Sequence, residues 1–315
     1  MRIVTVFGTR PEAIKMAPVV KALETSQGID SIVCSTGQHR EMLRPVLSLF
    51  EIEPHYDLDV LVPGQSLNAL FARTLTRISD LCDEIKPDRM LVHGDTTTAC
   101  AAALAAFHRN IPVGHVEAGL RTRNMHEPWP EELNRRLVDL VSDQLYAPTS
   151  SARDNLLEEQ LGYRDIYVTG NTVIDALLQT RAKLQSDSSL ERNIAQQFPW
   201  LDDSKKLVLV TGHRRESFGP AFLEIALALR DIASDPGVHV LYPVHLNPNV
   251  QKPIYETLSG LPNVFLIPPV DYLSFVYLMN KATLLISDSG GVQEEAPTFG
   301  KLVLVLRNEI GRAHV

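Results

Sequence analysis

Short runs of β-branched and other apolar residues recur along the chain, separated by stretches in which apolar residues return every three to four positions. Ile3 to Phe7 is the first such run, and Gly8 closes it. Its unbroken hydrophobicity predicts a strand covered on both faces of a parallel sheet. Pro11 fits the first turn of a helix, where its missing N–H costs nothing. Ala13, Met16, Ala17, Val20 and Leu23 follow at helical spacing. Further strands are predicted at Ser31–Cys34, Arg89–Val92, Ile111–Val116, Gln144–Ala147 and Ile166–Thr169, with an Ala-rich helix over Thr98–Phe107. The pattern restarts at Lys206. It predicts strands at Leu207–Val210, Val238–Pro243, Val264–Ile267, Leu284–Ile286 and Leu302–Leu306, and a helix over Ala221–Ala233. Repeated β-α units imply parallel sheets with right-handed crossovers. The fold class is therefore α/β, with two doubly wound domains facing a cleft. The boundary is expected near Gly170–Asn171, ahead of the polar stretch Gln185–Ser189 on an exposed connection.

Bulk properties narrow the class. A length of 315 residues suits two domains, at about 150 residues each. The net charge of −8 speaks against a nucleic-acid partner, which would leave a basic footprint. Cys34, Cys82 and Cys100 show no C-x-x-C spacing; so sparse and odd a set reads as reduced thiols in a cytoplasmic protein. The apolar run after Met1 is too short for a signal peptide. No run approaches the ~18 residues of a membrane span.

Four loops carry the candidate chemistry. Val92–Thr98 (VHGDTTT), Gly114–Gly119 (GHVEAG), Glu127–Glu132 (EPWPEE) and Val210–Arg215 (VTGHRR) are read as following buried strands. Ligands of open α/β sheets bind outside the carboxyl ends of the strands. Asp95, Glu117 and Glu131 from the first domain and His213 from the second thus form a proton-transfer set. Gly8–Lys15 is a strand–turn–helix entry whose free N–H groups, with Arg10 and Lys15, suit a phosphorylated ligand. Ser287–Glu295 is its counterpart in the second domain. Gly290 and Gly291 let a ligand approach the backbone, and Glu294 or Glu295 is placed to accept from ribose hydroxyls. Neither G-x-G-x-x-G nor G-x-x-x-x-G-K-[ST] occurs, which counts against a nicotinamide dehydrogenase and a P-loop NTPase. His93-x-Asp95 and His115-x-Glu117 place His and carboxylate on one side of an extended segment. That spacing serves either a metal site or a histidine that orients its carboxylate, and the second is favoured because metals need three or four converging ligands. His245 is expected to line the cleft or its rim, and Trp129 to pack a rigid loop. His39, His55 and His108 are expected to be structural or solvent-facing.

Eight segments together resemble a known family: Phe7–Pro18 (FGTRPEAIKMAP), Gln38–Met42 (QHREM), Val92–Thr98 (VHGDTTT), Gly114–Thr122 (GHVEAGLRT), Thr169–Ala176 (TGNTVIDA), Thr211–Gly219 (TGHRRESFG), Tyr242–Asn249 (YPVHLNPN) and Ser287–Pro297 (SDSGGVQEEAP). In the right order from Met1 to about Arg307, they resemble the bacterial non-hydrolysing UDP-N-acetylglucosamine 2-epimerases. The resemblance implies the GT-B arrangement of two Rossmann-like domains: 1–170 with the catalytic carboxylates, and 171–315 for the nucleotide. It implies Asp95, Glu117, Glu131 and His213 as catalytic, and Arg10, Lys15, Phe275, Ser289, Gly290, Gly291 and Glu295 as holding the UDP-sugar. It implies no metal and no cofactor. It further implies a homodimer that supplies surface polysaccharides, often with UDP-GlcNAc as its own allosteric activator.

The chemistry asks for such residues independently. The C2 proton of the sugar is not adjacent to a carbonyl, so C2 inversion needs oxidation by a cofactor or elimination of UDP. Elimination requires a base on one face, an acid on the other and stabilisation of the departing diphosphate. Competing readings are a GT-B glycosyltransferase, a hydrolysing epimerase and a non-catalytic UDP-sugar sensor; opposing carboxylates speak against the sensor. Relative to the family the second domain is expected to be truncated, with 308–315 a non-native tail.

Overall fold

The computed structural model describes residues 1–38, 40–214 and 218–306, apart from the side chains of Arg40 and Met42. His39, the motif positions 215–217 and the tail 308–315 lie outside the described residues. The chain forms two compact units, Met1–Ala176 and a second beginning at Leu177.

The first unit alternates strands and helices. Its elements are β1 (Arg2–Phe7), α1 (Arg10–Thr25), β2 (Asp30–Ser35), α2 (Arg40–Leu49), β3 (Tyr56–Asp57), α3 (Leu67–Ile85) and β4 (Arg89–His93). α4 (Thr97–Phe107), β5 (Val113–Val116), α5 (Glu131–Val141), β6 (Gln144–Ala147), α6 (Ser150–Glu158) and β7 (Asp165–Val168) follow, and α7 (Thr172–Ser186) leads out. The seven strands lie in the order β3-β2-β1-β4-β5-β6-β7, and every pairing is parallel. Ile3 through Phe7 are all buried, as a strand with helices on both faces requires. α4 owes its helix to a run of alanines, the best helix formers. Ala99, Ala101, Ala102, Ala103, Ala105 and Ala106 have no exposed surface, so neighbours press against the helix from every side.

The second unit holds α8 (Ser188–Ala195), β8 (Lys206–Thr211), α9 (Pro220–Ile232), β9 (Val238–Pro243), α10 (Pro248–Leu258), β10 (Val264–Ile267), α11 (Tyr272–Lys281), β11 (Leu284–Ser287), α12 (Gly290–Glu295) and β12 (Leu302–Val305). Its sheet runs β10-β9-β8-β11-β12, again parallel. Val208, Val210, Val240, Tyr242 and Ile286 from the strands pack with Phe222, Ala226, Ile254 and Leu258 from α9 and α10. Each unit is thus a doubly wound α/β sheet, the fold class expected from the sequence.

Several elements differ from expectation. β5 begins at Val113, after Pro112, which has no N–H for a ladder bond. β3 was not anticipated; two residues are too few to show a period. Gln185–Ser189 is exposed, as expected, but helical around a single break. Asp187 caps α8 there, its Oδ1 accepting from Ser189 N (2.9 Å) and Leu190 N (3.0 Å). Trp129 does not pack the 117–130 segment; it is 65% exposed.

Candidate active site

Strand order reverses at β1/β4 in the first sheet and at β8/β11 in the second. The loops leaving these strands part there, which opens a crevice at the carboxyl ends. In the first unit the loops after β1, β4 and β5 carry the candidate residues. His93 stands level with Val116 across the β4–β5 pairing, so the turns holding Asp95 and Glu117 start together.

Glu117 is 6% exposed. Its Oε1 lies 2.8 Å from Lys15 Nζ and its Oε2 2.8 Å from His93 Nε2. Neither His-x-carboxylate pair comes together as the spacing implied: His93 faces Glu117 instead of Asp95, and His115 faces Asp139 instead of Glu117. Glu117 also adopts φ +68°, a left-handed backbone that non-glycine residues rarely take. Its N–H and that of Ala118 both donate to Tyr146 O, which fixes the turn. A Cβ on Gly94 would stand 3.6 Å from Glu117 Oε2, so the Asp95 turn passes directly by that carboxylate.

Asp95, also buried, is held by α5. Arg135 Nη2 donates to Asp95 Oδ2 at 2.5 Å, and Asn134 Nδ2 to Asp95 O at 2.9 Å. Arg135 is 2% exposed and also faces Glu132 Oε2 at 3.3 Å. Glu131 does not directly follow a strand. It opens α5, beyond the long segment after β5, and is partly exposed. Glu132 is the buried member of the pair; it accepts the N–H groups of Thr122 and Arg123 and an Arg136 Nε donor.

Three buried groups anchor the two acid-bearing turns. His115 Nδ1 lies 2.6 Å from Asp139 Oδ1, and His115 Nε2 lies 2.8 Å from Gly94 O. Asp139 Oδ2 accepts from Gly119 N (3.2 Å) and pairs with Arg121 Nη1 (2.8 Å). Burial pushes the Asp139 carboxyl up, but His115 and Arg121 outweigh it and hold it below the ordinary range.

The β1 turn has its own buried brace. Glu12 Oε2 accepts from Gly8 N (3.0 Å) and Thr9 N (2.7 Å), while Oε1 accepts from Thr96 Oγ1 (2.6 Å). A Cβ on Gly8 would fall 2.2 Å from Thr36 Oγ1 and 2.6 Å from Thr98 Oγ1, so only glycine fits. Arg10 is exposed at the start of α1.

In the second unit, His213 follows β8 and Ser289–Gly291 follows β11. The imidazole is 43% exposed, faces Asp288 with Nδ1 and stacks on His245 at 5.6 Å between centroids. His245 is exposed beside it, at the end of β9. Glu295 is buried, and Tyr272 Oη donates to its Oε1 at 2.6 Å. Burial and that neighbouring carboxylate push the Tyr272 hydroxyl far up, so it stays a donor. Phe275 lies on α11, partly buried, three residues beyond Tyr272. His55 is structural: its Nδ1 accepts from Val33 N at 3.1 Å.

The residues that sequence reasoning missed are Glu12, Glu132, Arg135, Asp139 and Tyr272. Each is a charged or polar side chain on a helix. Glu12 alone has a local signal, its capping-box spacing from Thr9; the order of strands and helices in space brings the others to their partners. Among the described residues no group of three or more His, Cys, Asp or Glu side chains is placed to hold a metal ion, and no helix is long and apolar enough to cross a membrane.

Comparison with known proteins gives the family. The family model described as UDP-N-acetylglucosamine 2-epimerase matches residues 21–315. The UDP-N-acetylglucosamine 2-epimerase of Yersinia pestis is 55% identical over 99% of this chain and 83% of its own length. The crystal structure of UDP-GlcNAc 2-epimerase from Neisseria meningitidis bound to UDP-GlcNAc superposes with a TM-score of 0.93 at 51% identity, over 99% of this chain and 84% of that one. The Methanocaldococcus jannaschii enzyme in complex with UDP-GlcNAc and UDP gives 0.81 at 32% identity, over 99% and 85%. Matched along nearly its whole length, and more than half identical to the Yersinia pestis relative, the chain belongs to the UDP-N-acetylglucosamine 2-epimerase family.

Proposed function

We propose that this chain interconverts UDP-GlcNAc and UDP-ManNAc by elimination and readdition of UDP, without net hydrolysis. The observation that carries the reading is the buried acid–base group at the first switch point. Glu117 is gripped by Lys15 and His93, and the Asp95 turn passes beside it. A site that only bound a nucleotide would gain nothing from carboxylates kept out of water, where anions are costly.

The reaction divides into two proton transfers. A carboxylate removes the C2 proton, the C1–O bond breaks and UDP departs with the electron pair, leaving 2-acetamidoglucal. UDP then re-forms the C1–O bond as a proton reaches C2 from the opposite face. Asp95, Glu117 and Glu131 share these two transfers, each worth about 10²–10⁴-fold. His213 stabilises the leaving diphosphate. Arg10 and Lys15 from the first domain, and Phe275, Ser289, Gly290, Gly291 and Glu295 from the second, hold the UDP-sugar. The UDP-GlcNAc seen in the Neisseria meningitidis and Methanocaldococcus jannaschii relatives supports that choice of ligand. The resemblance extends the reading to a cytoplasmic homodimer that uses UDP-GlcNAc as its activator as well as its substrate.

The test is incubation with UDP-GlcNAc in deuterated water, followed by NMR. UDP-ManNAc carrying deuterium at C2 is the expected product. Free ManNAc with UDP would mean a hydrolysing enzyme, acceptor-dependent product a transferase, and no reaction a binding protein.

A further inference from the structure

The imidazole of His213 has a carboxylate of its own. β8 and β11 are neighbours in the second sheet, with Thr211 level with Ser287, so the loops beyond them begin side by side. Thr211 Oγ1 and Ser287 Oγ stand 2.6 Å apart. One residue later Asp288 reaches across to the histidine loop. Its Oδ2 accepts the backbone N–H groups of His213 (2.7 Å) and Arg214 (2.8 Å), and its Oδ1 faces His213 Nδ1 at 3.2 Å. The Asp288 side chain is 1% exposed. Burying a carboxylate is costly unless donors surround it, and here the donors come from the histidine segment. Burial pushes the Asp288 carboxyl up, but the bonds from His213 and the backbone N–H groups outweigh it and keep it ionised.

We infer that Asp288 is the positioning residue of His213: it commits Nδ1 as a donor, so that Nε2 is the nitrogen offered to the ligand. This deepens the proposed function and rests on it for the part His213 plays. A neutral imidazole has one donor and one acceptor nitrogen, and the hydrogen bond made by one decides the state of the other. With the Asp288 carboxylate 3.2 Å from Nδ1, the anion favours a proton on that nitrogen, and Nε2 is left to take a proton and hand it to, or hold it against, an oxygen that gains charge. The buried anion then stabilises the charged ring, as in carboxylate–histidine pairs generally.

Among the described residues, the other titratable groups around the ring do not supply that anchor. His245, from the loop after β9, stacks face-on at 26° between planes. Its pKa is lowered, first by burial and then by the charge of His213. Tyr242, at the end of β9, gives its hydroxyl to Gly212 O at 3.0 Å. Arg214 follows in sequence and meets Asp288 through its backbone.

D288N tests the inference in the full chain. The amide oxygen can go on accepting the His213 and Arg214 N–H groups, which turns the NH2 toward Nδ1 and drives the ring proton to Nε2. Nitrogen NMR of histidine-labelled protein, with the His213 signal assigned by its loss in H213Q, is expected to show Nδ1–H in the wild type and Nε2–H in D288N. The kcat for UDP-GlcNAc epimerisation is expected to fall at least about 10-fold, with an altered pH profile, while the Kd for UDP stays within about twofold. A wild-type ring protonated at Nε2 overturns the inference. So does D288N with wild-type kcat, and so does a loss of UDP binding that matches the loss of kcat, since that is the mark of a purely structural role. H213Q separates the two failures. If H213Q turns over like the wild type, the assignment of His213 to the reaction falls. If H213Q is slow and D288N is fast, only the role of Asp288 falls.

Discussion

Lys15 Nζ and Glu117 Oε1 stand 2.8 Å apart although 102 positions separate them in the chain. α1 delivers the ammonium and the turn after β5 the carboxylate, and both side chains are at most 10% exposed. Removing one partner of a buried pair strands the other without solvent. K15M and E117Q are therefore each expected to lower stability by about 3 kcal/mol, and the double variant by less than their sum. Both single variants are expected to lose epimerase turnover as well. Urea denaturation of the four proteins gives the coupling; strictly additive losses would show that the contact carries no energy.

Arg135 is the second case of one cation serving a candidate catalytic group. It bonds Asp95 at 2.5 Å and faces Glu132 at 3.3 Å. R135M takes the guanidinium from buried Asp95, while Glu132 keeps that of Arg136, at a cost of about 3–5 kcal/mol. The exposed neighbour pair Arg153–Asp154 is a control, because surface pairs are worth about 0–1 kcal/mol; R153M is expected to leave the urea midpoint nearly unchanged. Equal midpoints for the two variants would refute the distinction.

The contrast shows what could be read from the sequence and what could not. β1, β4 and β8 were legible because short apolar runs followed closely by glycine mark buried strands, and the candidate residues after them were legible because strand ends are where ligands bind. Within the charged stretch Glu131–Arg136, Glu132 and Arg135 are 0% and 2% exposed. They meet each other and Arg136 along α5, but Asp95 and the Thr122 and Arg123 N–H groups, which complete their surroundings, come from other segments. Alternation placed His115 beside Glu117, but β5 ends at Val116 and Glu117 turns left-handed. The alternation therefore breaks, His115 meets Asp139, and Glu117 meets His93 from the next strand. Glu131 was misplaced for a related reason: the 117–130 segment has no apolar period to show where α5 starts.

The three cysteines give a direct check on packing. All are buried thiols. Burial pushes Cys82 and Cys100 up to about 11, and Cys34 further still. Since the thiolate is the reactive form, a thiol reagent at pH 8 is expected to label none of the three in the native protein and all three in guanidinium. Prompt labelling of the folded protein would contradict the burial of α3, α4 and β2, which carry them.

Asp139 links stability to pH, and the sign follows from its surroundings. Despite burial, His115 and Arg121 hold its carboxyl below the ordinary carboxylate value in the folded state. The unfolded chain therefore takes up a proton first as pH falls. The stabilisation from this group is fully present above the ordinary value and is lost as pH drops through the folded one, from about pH 5 downward. Asp143 behaves alike: burial raises its carboxyl, but Arg89, bonded at 2.7 and 2.8 Å, lowers it more. D139N is thus expected to be less stable at pH 7 by about 3 kcal/mol, and to lose stability less steeply than the wild type between about pH 5 and pH 3. The slope that remains in D139N should shrink again in D139N/D143N. Urea midpoints measured across that range read both effects. Because Asp139 also accepts from Gly119 N and pairs with His115, which meets Gly94 O, the same variant should slacken the turns that carry Asp95 and Glu117. Turnover at pH 7 should then fall even where the protein remains folded. Parallel pH curves for wild type and D139N would sink the assignment of Asp139 as the anion that locks these two turns.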